Sequence, residues 1–413
     1  MFLSMVSAVM AEEVPRLNLK TYLDEVRNNN PEIAAASALS KAYSARIKQV
    51  WLPMDPVVEF ERMSADGPLG SGAMERNFLV RQEFRNPYKM YLQRGAAKAE
   101  SGSYTGRKDD RINRTLAEAK AAFYEYALAW QYERVYAENL ELVKKLSRIA
   151  ETRYAINQGS QSDAIKAQVE LSKALNMIIT AQQEKETAAA RVNALRGKSP
   201  VSPLAEPEPF AVTPSTPDYA ALEAVVLARN PYLAAMAWRL KTSEKKLSLA
   251  RAEYAPDFML SWRRRASDTP AMDGTYDVSL GLTMPLWFAK QSGMTREARA
   301  ERDMSAAEYE AARNAVLLEL KEITVKLDYY RRLMDLYGGT VLPQAEASLK
   351  ASEAAYQAGK TDFLDLVDAT RTLLETKREY YEYSAACASW LGRLESLTAM
   401  ERSDRIQRKQ EPI

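Results

Sequence analysis

The chain contains no histidine and a single cysteine, Cys387, in 413 residues. Histidine-based metal sites, Ser-His-Asp triads and Cys-His pairs are therefore excluded, as are an intramolecular disulfide and a cysteine-based metal cluster. Charge of one sign is not in excess either. The 57 Lys and Arg face 55 Asp and Glu, a formal net charge of +2, which argues against nucleic acid as a partner because such proteins draw on a basic surplus or patch. No run approaches the roughly 20 apolar residues that a membrane-spanning helix needs. Proline is missing between Pro87 and Pro200, and glycine between Gly106 and Gly159. That pair of gaps predicts helices far longer than the globular average of about 11–12 residues. An enzyme here would have to work with carboxylates, lysines or hydroxyls, and the Gly338-Gly339 pair lacks the strand–loop–helix setting of a phosphate-binding loop.

The opening MFLSMVSAVMA is apolar, lacks a positive n-region and ends in Val9-Met10-Ala11 before Glu12-Glu13. It reads as the remnant of a secretory signal over residues 1–11, with a disordered start as the alternative.

What is present is an internal duplication. Asn30-Pro31, an Ala-rich helical stretch and Pro56 return 200 residues later as Asn230-Pro231, a second such stretch and Pro256. After each second proline the apolar period changes from 3.6 to 2. Val58 and Phe60 alternate with Glu59, Glu61 and Arg62, and Phe258, Leu260 and Trp262 alternate with Met259, Ser261 and Arg263. A second alternating run follows in each copy: Phe78, Val80 and Phe84 opposite Arg81 and Glu83, then Tyr276, Val278, Leu280, Leu282 and Met284 opposite Asp277, Ser279, Gly281 and Thr283. Hairpins are thus expected at about 57–84 and 257–284, with the intervening 64–76 and 264–275 as loops.

Long helices should follow each hairpin. Leu128, Tyr132, Val135, Asn139, Leu142, Leu146, Ile149, Arg153 and Ile156 recur at heptad spacing, as do Ile323, Leu327, Tyr330, Met334, Tyr337 and Val341. The helices should turn back near 157–159 and 359–362. Setting Tyr154 against Tyr356 puts Asn157 at the position of Gly359, where a positive φ is needed and asparagine tolerates it. Six prolines between Pro200 and Pro217 mark an extended link. The expected organisation is a first repeat over 12–199, the link at 200–217, a second repeat over 218–400 and a charged tail at 401–413.

Each hairpin has one apolar and one polar face. A soluble hairpin would bury the apolar side, whereas in a membrane barrel it faces lipid and the polar side faces a lumen. Four strands cannot close a barrel and open edges are excluded from hydrocarbon, but three chains would supply twelve strands. The rival expectation is a soluble, elongated coiled-coil scaffold or interaction protein without transport activity, which explains the heptad stripes and leaves the hairpins unexplained.

The duplicated layout, the paired Asn-Pro starts and the turn Ala355-Tyr356-Gln357-Ala358-Gly359 followed by Asp365-Leu366-Val367-Asp368-Ala369 resemble the TolC-type outer membrane factor family, and faintly its heavy-metal or cation efflux subgroup. The resemblance spans roughly residues 17–400. It implies a mostly α subunit of mixed class: an elongated, duplicated α-helical barrel subunit with four transmembrane β-strands per chain, the 12-stranded barrel being completed in a homotrimer. It further implies a passive outer-membrane exit duct of a tripartite efflux or type I secretion system, with outer-membrane lipid around it and no cofactor. Its partners would be a periplasmic adaptor (membrane fusion) protein and an RND-type inner-membrane pump. By the same resemblance Asp365 and Asp368 are gate candidates, with Asp163 and Lys166 at the corresponding places of the first repeat. A Lys166–aspartate pair would hold the closed state. Tyr154, Asn157, Gly159, Ser160, Tyr356, Gly359, Lys360 and Thr361 are candidates for adaptor contact. Trp51, Trp262 and Trp287, at or near the expected strand ends, are candidates for the membrane girdle. The Arg263-Arg264-Arg265 run would face lipopolysaccharide phosphates, the lumen mouth or simply solvent.

Overall fold

The computed structural model describes residues 16–64, 74–210, 212, 218–267 and 273–399. The expected signal remnant at 1–11 and tail at 401–413 lie outside the described residues, as do 211 and 213–217 of the link. The chain divides into two compact units. One is drawn from Met1–Ala34, Asp110–Asn230 and Val316–Ile413, the other from Ala35–Asp109 and Pro231–Ala315.

The elements follow the duplication. Helices α1 (Leu19–Asn29) and α2 (Pro31–Gln49) lead to strands β1 (Val57–Ser64) and β2 (Met74–Phe84), then to the long helix α3 (Pro87–Ala155) and to α4 (Gln161–Leu195). In the second half α5 (Tyr219–Arg229), α6 (Pro231–Ala252), β3 (Asp257–Ser267), β4 (Tyr276–Thr283), α7 (Phe288–Leu336), α8 (Leu342–Gln357) and α9 (Phe363–Thr398) repeat that order. Proline opens α2 and α6 because its missing N–H costs nothing in a first turn. The preceding asparagines do matching jobs. The Asn30 amide donates to the Leu195 carbonyl at 2.8 Å, and the Asn230 amide to that of Leu397 at 3.0 Å. Each buried asparagine thus ties the start of its repeat to the end of that repeat's last helix, which is why the Asn-Pro pair recurs.

Where α3 is one uninterrupted helix, its counterpart is interrupted by a π-helical turn at Tyr337–Val341. Pro87 and Phe288 open the two helical stretches, an offset of 201, and Ala155 and Gln357 close them, an offset of 202. A π turn accommodates one inserted residue without ending a helix. It falls on Gly338-Gly339, where a Cβ on Gly338 would come within 3.0 Å of the Tyr380 ring.

In the first unit Tyr22, Val26, Phe123, Tyr126 and Val192 form one buried cluster and Leu146, Ala150, Tyr356, Phe363 and Leu366 another. The described part of the proline-rich segment is held against this unit. Leu17 N–H donates to the Glu206 carbonyl at 2.8 Å, Glu208 N–H to that of Leu17 at 3.0 Å, and the Tyr126 hydroxyl to that of Ala205 at 3.1 Å.

The second unit carries the sheet, an antiparallel meander in the order β1-β2-β3-β4. The loops expected at 64–76 and 264–275 are shorter than that reading. Met74–Arg76 and Arg264–Ser267 are strand, with Arg76 opposite Ala266. The apolar alternation fades there before the backbone pairing does, because polar residues take both faces near the hairpin turns. At the other end, where β2 passes into α3 and α6 into β3, Lys89 is 2% exposed. Its Nζ lies 3.1 Å from Glu253 Oε2 and 3.0 Å from Asp257 Oδ2. Arg85 pairs with the same Glu253, and Asn86 N–H donates to Asp257 Oδ1 at 2.8 Å. On the helices of this unit Gly106 allows close approach, since a Cβ there would sit 2.9 Å from the Ala235 backbone.

Candidate functional site

The two helical turns lie together in the first unit. Asn157 (φ 56°) and Gly359 (φ 72°) both adopt the left-handed conformation that ends α3 and α8. Ser160 caps α4, its hydroxyl accepting from Asp163 N–H at 3.1 Å. Arg153 spans both turns. Its guanidinium donates to the Tyr356 carbonyl and, at 3.1 Å, to that of Gln158, while its Cζ lies 4.7 Å from the centre of the Tyr356 ring. This residue stands in an apolar heptad stripe, and a charge in that seam was the signal by which the sequence could have marked it.

Tyr154, Asn157, Ser160, Gly359 and Lys360 are exposed, and Gly159 and Thr361 half-buried. Tyr356 departs from the expectation of an exposed contact residue. It is 3% exposed, with its ring 5.6 Å from that of Phe363, so it packs the turn from inside. Burial, and then the carboxylate of Asp163, push its phenol above the usual range, against the opposing charge of Arg153.

Asp365 and Asp368 are exposed on α9, whose other side buries Leu366, Val367 and Ala369. Lys166 and Asp163 are half-buried on α4. Among the described residues no ion pair joins Lys166 to Asp365 or Asp368. The links between the two hairpins run through other residues: Arg371 of α9 to Glu170 of α4, Lys377 of α9 to Glu138 of α3 at 2.9 Å, and Lys145 of α3 to Glu353 of α8. Burial works against ionised Glu170, but hydrogen bonds from Lys173 and Arg371 outweigh it and hold the carboxyl below its usual range. A groove of about 410 Å³ lies beside this link, lined among others by Tyr136, Leu146, Phe363 and Val367.

The sheet of the second unit is a separate site. Its register aligns Val58, Val80, Trp262 and Val278 in one row, and Phe84, Phe258 and Leu282 in another, all on one face. That face is the exposed one: Phe60 is 70% exposed, Val278 71% and Leu280 76%. The opposite face carries Glu59, Arg81, Ser261, Arg263, Asp277 and Ser279 and is the more sheltered, with Asn77 at 2%. Of the three tryptophans, Trp262 is not at a strand end. It sits in the middle of β3, edge-on to Phe78 at 6.1 Å and stacked with Tyr276 at 5.7 Å, because β3 continues through the arginine run. Trp51, under the Arg94 guanidinium at 5.0 Å, and Trp287 stand outside the strands, beyond the sheet's helical end, and are exposed, as are Tyr88 and the stacked pair Tyr254 and Phe288. No described helix is long and apolar enough to cross a membrane, and no described group of three or more carboxylates and thiols could hold a metal ion.

A sheet whose apolar face is open and whose polar face is sheltered has the pattern of strands that face lipid on one side. The comparisons with known proteins agree. Residues 224–400 match the family model described as outer membrane efflux protein. The chain is 25% identical over 293 residues to the cobalt-zinc-cadmium resistance protein CzcC of Cupriavidus metallidurans, covering 67% of this chain and 69% of that one. It is 26% identical over 304 residues to the pyoverdine export outer membrane protein OpmQ of Pseudomonas aeruginosa, covering 69% of this chain and 60% of the relative. The crystal structure of the outer membrane protein VceC of Vibrio cholerae shares the fold, with a TM-score of 0.81 at 16% identity over 92% of this chain and 96% of that one. The second half of the chain thus carries the similarity to the outer membrane efflux protein family. The comparisons support an outer membrane efflux protein, and the soluble-scaffold expectation is set aside. Members of this family are channels, components of tripartite pumps that include an adaptor and an inner-membrane pump.

Proposed function

We propose that three copies of this chain assemble into one passive exit duct, opened by a periplasmic adaptor and an RND-type inner-membrane pump. The observation that carries this reading is the sheet with its apolar face outward. Among the described residues β1 and β4 each pair on one side only, and a strand edge left open in hydrocarbon costs several kcal/mol per unsatisfied group, by order of magnitude. A head-to-tail junction of β4 with β1 of the next copy, repeated around a three-fold axis, closes twelve strands and removes every edge. The charged and hydroxylic inner face then lines water.

At the helical end, three-fold symmetry turns exposed Asp365 and Asp368 into two rings of three carboxylates. Such rings favour cations and resist anions. Arg153 and the Arg371–Glu170, Lys377–Glu138 and Lys145–Glu353 links hold the two helical hairpins of a protomer together, and we assign them the closed state. Adaptor contact falls to the exposed turn residues Tyr154, Asn157, Ser160, Gly359 and Lys360, with Gly159 and Thr361 beside them, while Tyr356 supports the turn from beneath. The duct catalyses nothing and uses no cofactor, and energy comes from the pump. Metal cations are the cargo class this reading favours, supported by the relative that confers cobalt, zinc and cadmium resistance.

The test is fractionation of the full chain exported behind a secretory signal, followed by mass determination of the detergent-solubilised particle. The expected result is an outer-membrane particle of three times 46.5 kDa of protein. A monomer or dimer recovered without detergent would overturn the duct.

A further inference from the structure

Four chain segments join the sheet to its helices, and each carries the same kind of pair. Lys48 precedes Trp51 at the end of α2, and Arg251 precedes Tyr254 at the end of α6. Arg94 follows Tyr91 in α3, and Lys290 follows Trp287 at the start of α7. In every case the aromatic residue is nearer the strand and the cation lies three residues further towards the helix. Backbone bonds hold two of the pairs in a single turn, Trp51 N–H to the Lys48 carbonyl at 3.3 Å and Lys290 N–H to that of Trp287 at 2.9 Å. All eight residues are exposed.

Among the described residues none of the four cations is engaged in an ion pair. Arg94 instead rests on the Trp51 ring, its Cζ 5.0 Å from the ring centre. The carboxylates nearby are turned elsewhere. Glu253 and Asp257 hold Lys89, and Glu83 has its register position on the polar face, which leaves Asp55, exposed in the segment between Trp51 and β1. Helix dipoles do not account for the set. They favour cations in last turns, which suits Lys48 and Arg251. They oppose a cation in a first turn, yet Lys290 lies there in α7, and neither α3 nor α7 has an acid in its first turn.

A lipid boundary accounts for all four pairs. In the duct reading, on which this inference rests, the sheet lies in the bilayer and the helices lie in the periplasm. The pairs then stand where the periplasmic leaflet ends. Aromatic rings settle at headgroup level, and Lys or Arg just beyond them is attracted by anionic lipid. We propose that Lys48, Arg94, Arg251 and Lys290 bind the phosphate groups of anionic phospholipid in the periplasmic leaflet. Trp51, Tyr91, Tyr254 and Trp287 sit beside the same headgroups on the hydrocarbon side. The site draws on both repeats, and three copies make it a ring around the duct.

The test uses the full-length protein, recovered from the membrane fraction, delipidated in detergent and titrated with phosphatidylglycerol while native mass spectrometry counts bound lipid. Lys48→Gln, Arg94→Gln, Arg251→Gln and Lys290→Gln combined should weaken binding about tenfold or more. Exchanging Lys for Arg and Arg for Lys at the same four positions should retain most of it. If the fourfold Gln variant assembles poorly, Arg94→Gln with Lys290→Gln should still weaken binding about threefold. Lys41→Gln, Arg107→Gln, Lys241→Gln and Arg299→Gln remove the same charge from exposed positions on the same helices, ten or more residues from the aromatic row. That variant should bind as the wild type does. Zwitterionic phosphatidylethanolamine should bind more weakly, and millimolar glycerol phosphate should not displace the lipid. Equal binding by the wild type and the Gln variants would overturn the site, as would an equal loss in the distant set. Equal uptake of the zwitterionic lipid or displacement by glycerol phosphate would do the same. In those cases the particle is still an outer-membrane trimer and the duct stands. A wild-type chain found outside the outer membrane would overturn the duct and the lipid site together.

Discussion

The sheet and the helical turns place their apolar residues in opposite ways. In the sheet, Val278 and Leu280 are 71% and 76% exposed while Asn77 on the other face is 2% exposed. At the turns Phe363 and Leu366 are 1% and 0% exposed, and the neighbouring Asp365 and Asp368 stand in the open. In the proposed duct both arrangements follow from the same transfer free energy, with lipid outside one region and water outside the other. Polar groups in the sheet-bearing unit are drawn inward and paired, as Lys89 is with Glu253 and Asp257. Around the turns they are drawn outward, and the charged links between hairpins run along the helix surfaces.

The largest effect is expected where polar burial is deepest. Lys89→Ala leaves Glu253 and Asp257 without their shared cation and should destabilise the protein by about 3–5 kcal/mol, read as a lowered unfolding midpoint of the purified particle. Lys89→Met, which also removes the charge but keeps the length, should not restore it. Next, Val278→Arg should cost about 2–4 kcal/mol if that side chain meets the middle of the bilayer, and membrane assembly should fall accordingly. Ser279→Arg, one residue along and on the other face, should be tolerated. Equal effects of the two would erase the contrast between the faces.

At the turns Arg153→Ala removes charge-assisted bonds to two carbonyls, each on the scale of about 1.5–3 kcal/mol. Single-channel recordings should show more frequent opening with unchanged insertion, and an unchanged closed time would remove Arg153 from the gate. Asp365→Ala with Asp368→Ala should raise conductance or lower cation preference. Acid should act more gently. Because the Glu170 carboxyl is held below its usual value near 4.5, its contribution is complete above that pH and is lost as pH falls through the lowered value. Opening should therefore rise in wild type only below about pH 4.5, and Glu170→Gln should open more readily already at neutral pH.

Much of the fold could be read from residue pattern because each repeat supplied a second copy against which to judge the first. The period-2 runs mark the strands, the gaps in proline and glycine mark α3, and the pairing of Asn157 with Gly359 anticipates two left-handed turns. The ends of β2 and β3 were not legible, since Arg76 and Arg264–Ser267 pair by backbone while their side chains carry no alternation. Neither was the role of Tyr356. A tyrosine in an exposed turn motif is buried here because Phe363 and Arg153 close over its ring, which takes contacts some 200 residues apart in the chain. The inter-hairpin links have the same character. Glu170 and Arg371 look like ordinary surface charges until α4 and α9 are packed together.

The central claim is that the even-numbered positions of β4 face lipid and the odd-numbered ones face water. It is tested most directly by collisional accessibility of spin labels placed singly at 276 through 283, in a Cys387→Ser background, with the assembled protein in bilayers. Labels replacing Tyr276, Val278, Leu280 and Leu282 should collide with oxygen, and labels replacing Asp277, Ser279, Gly281 and Thr283 with a water-soluble nickel chelate. An accessibility profile without a period of two, or one with the phases exchanged, would contradict the account.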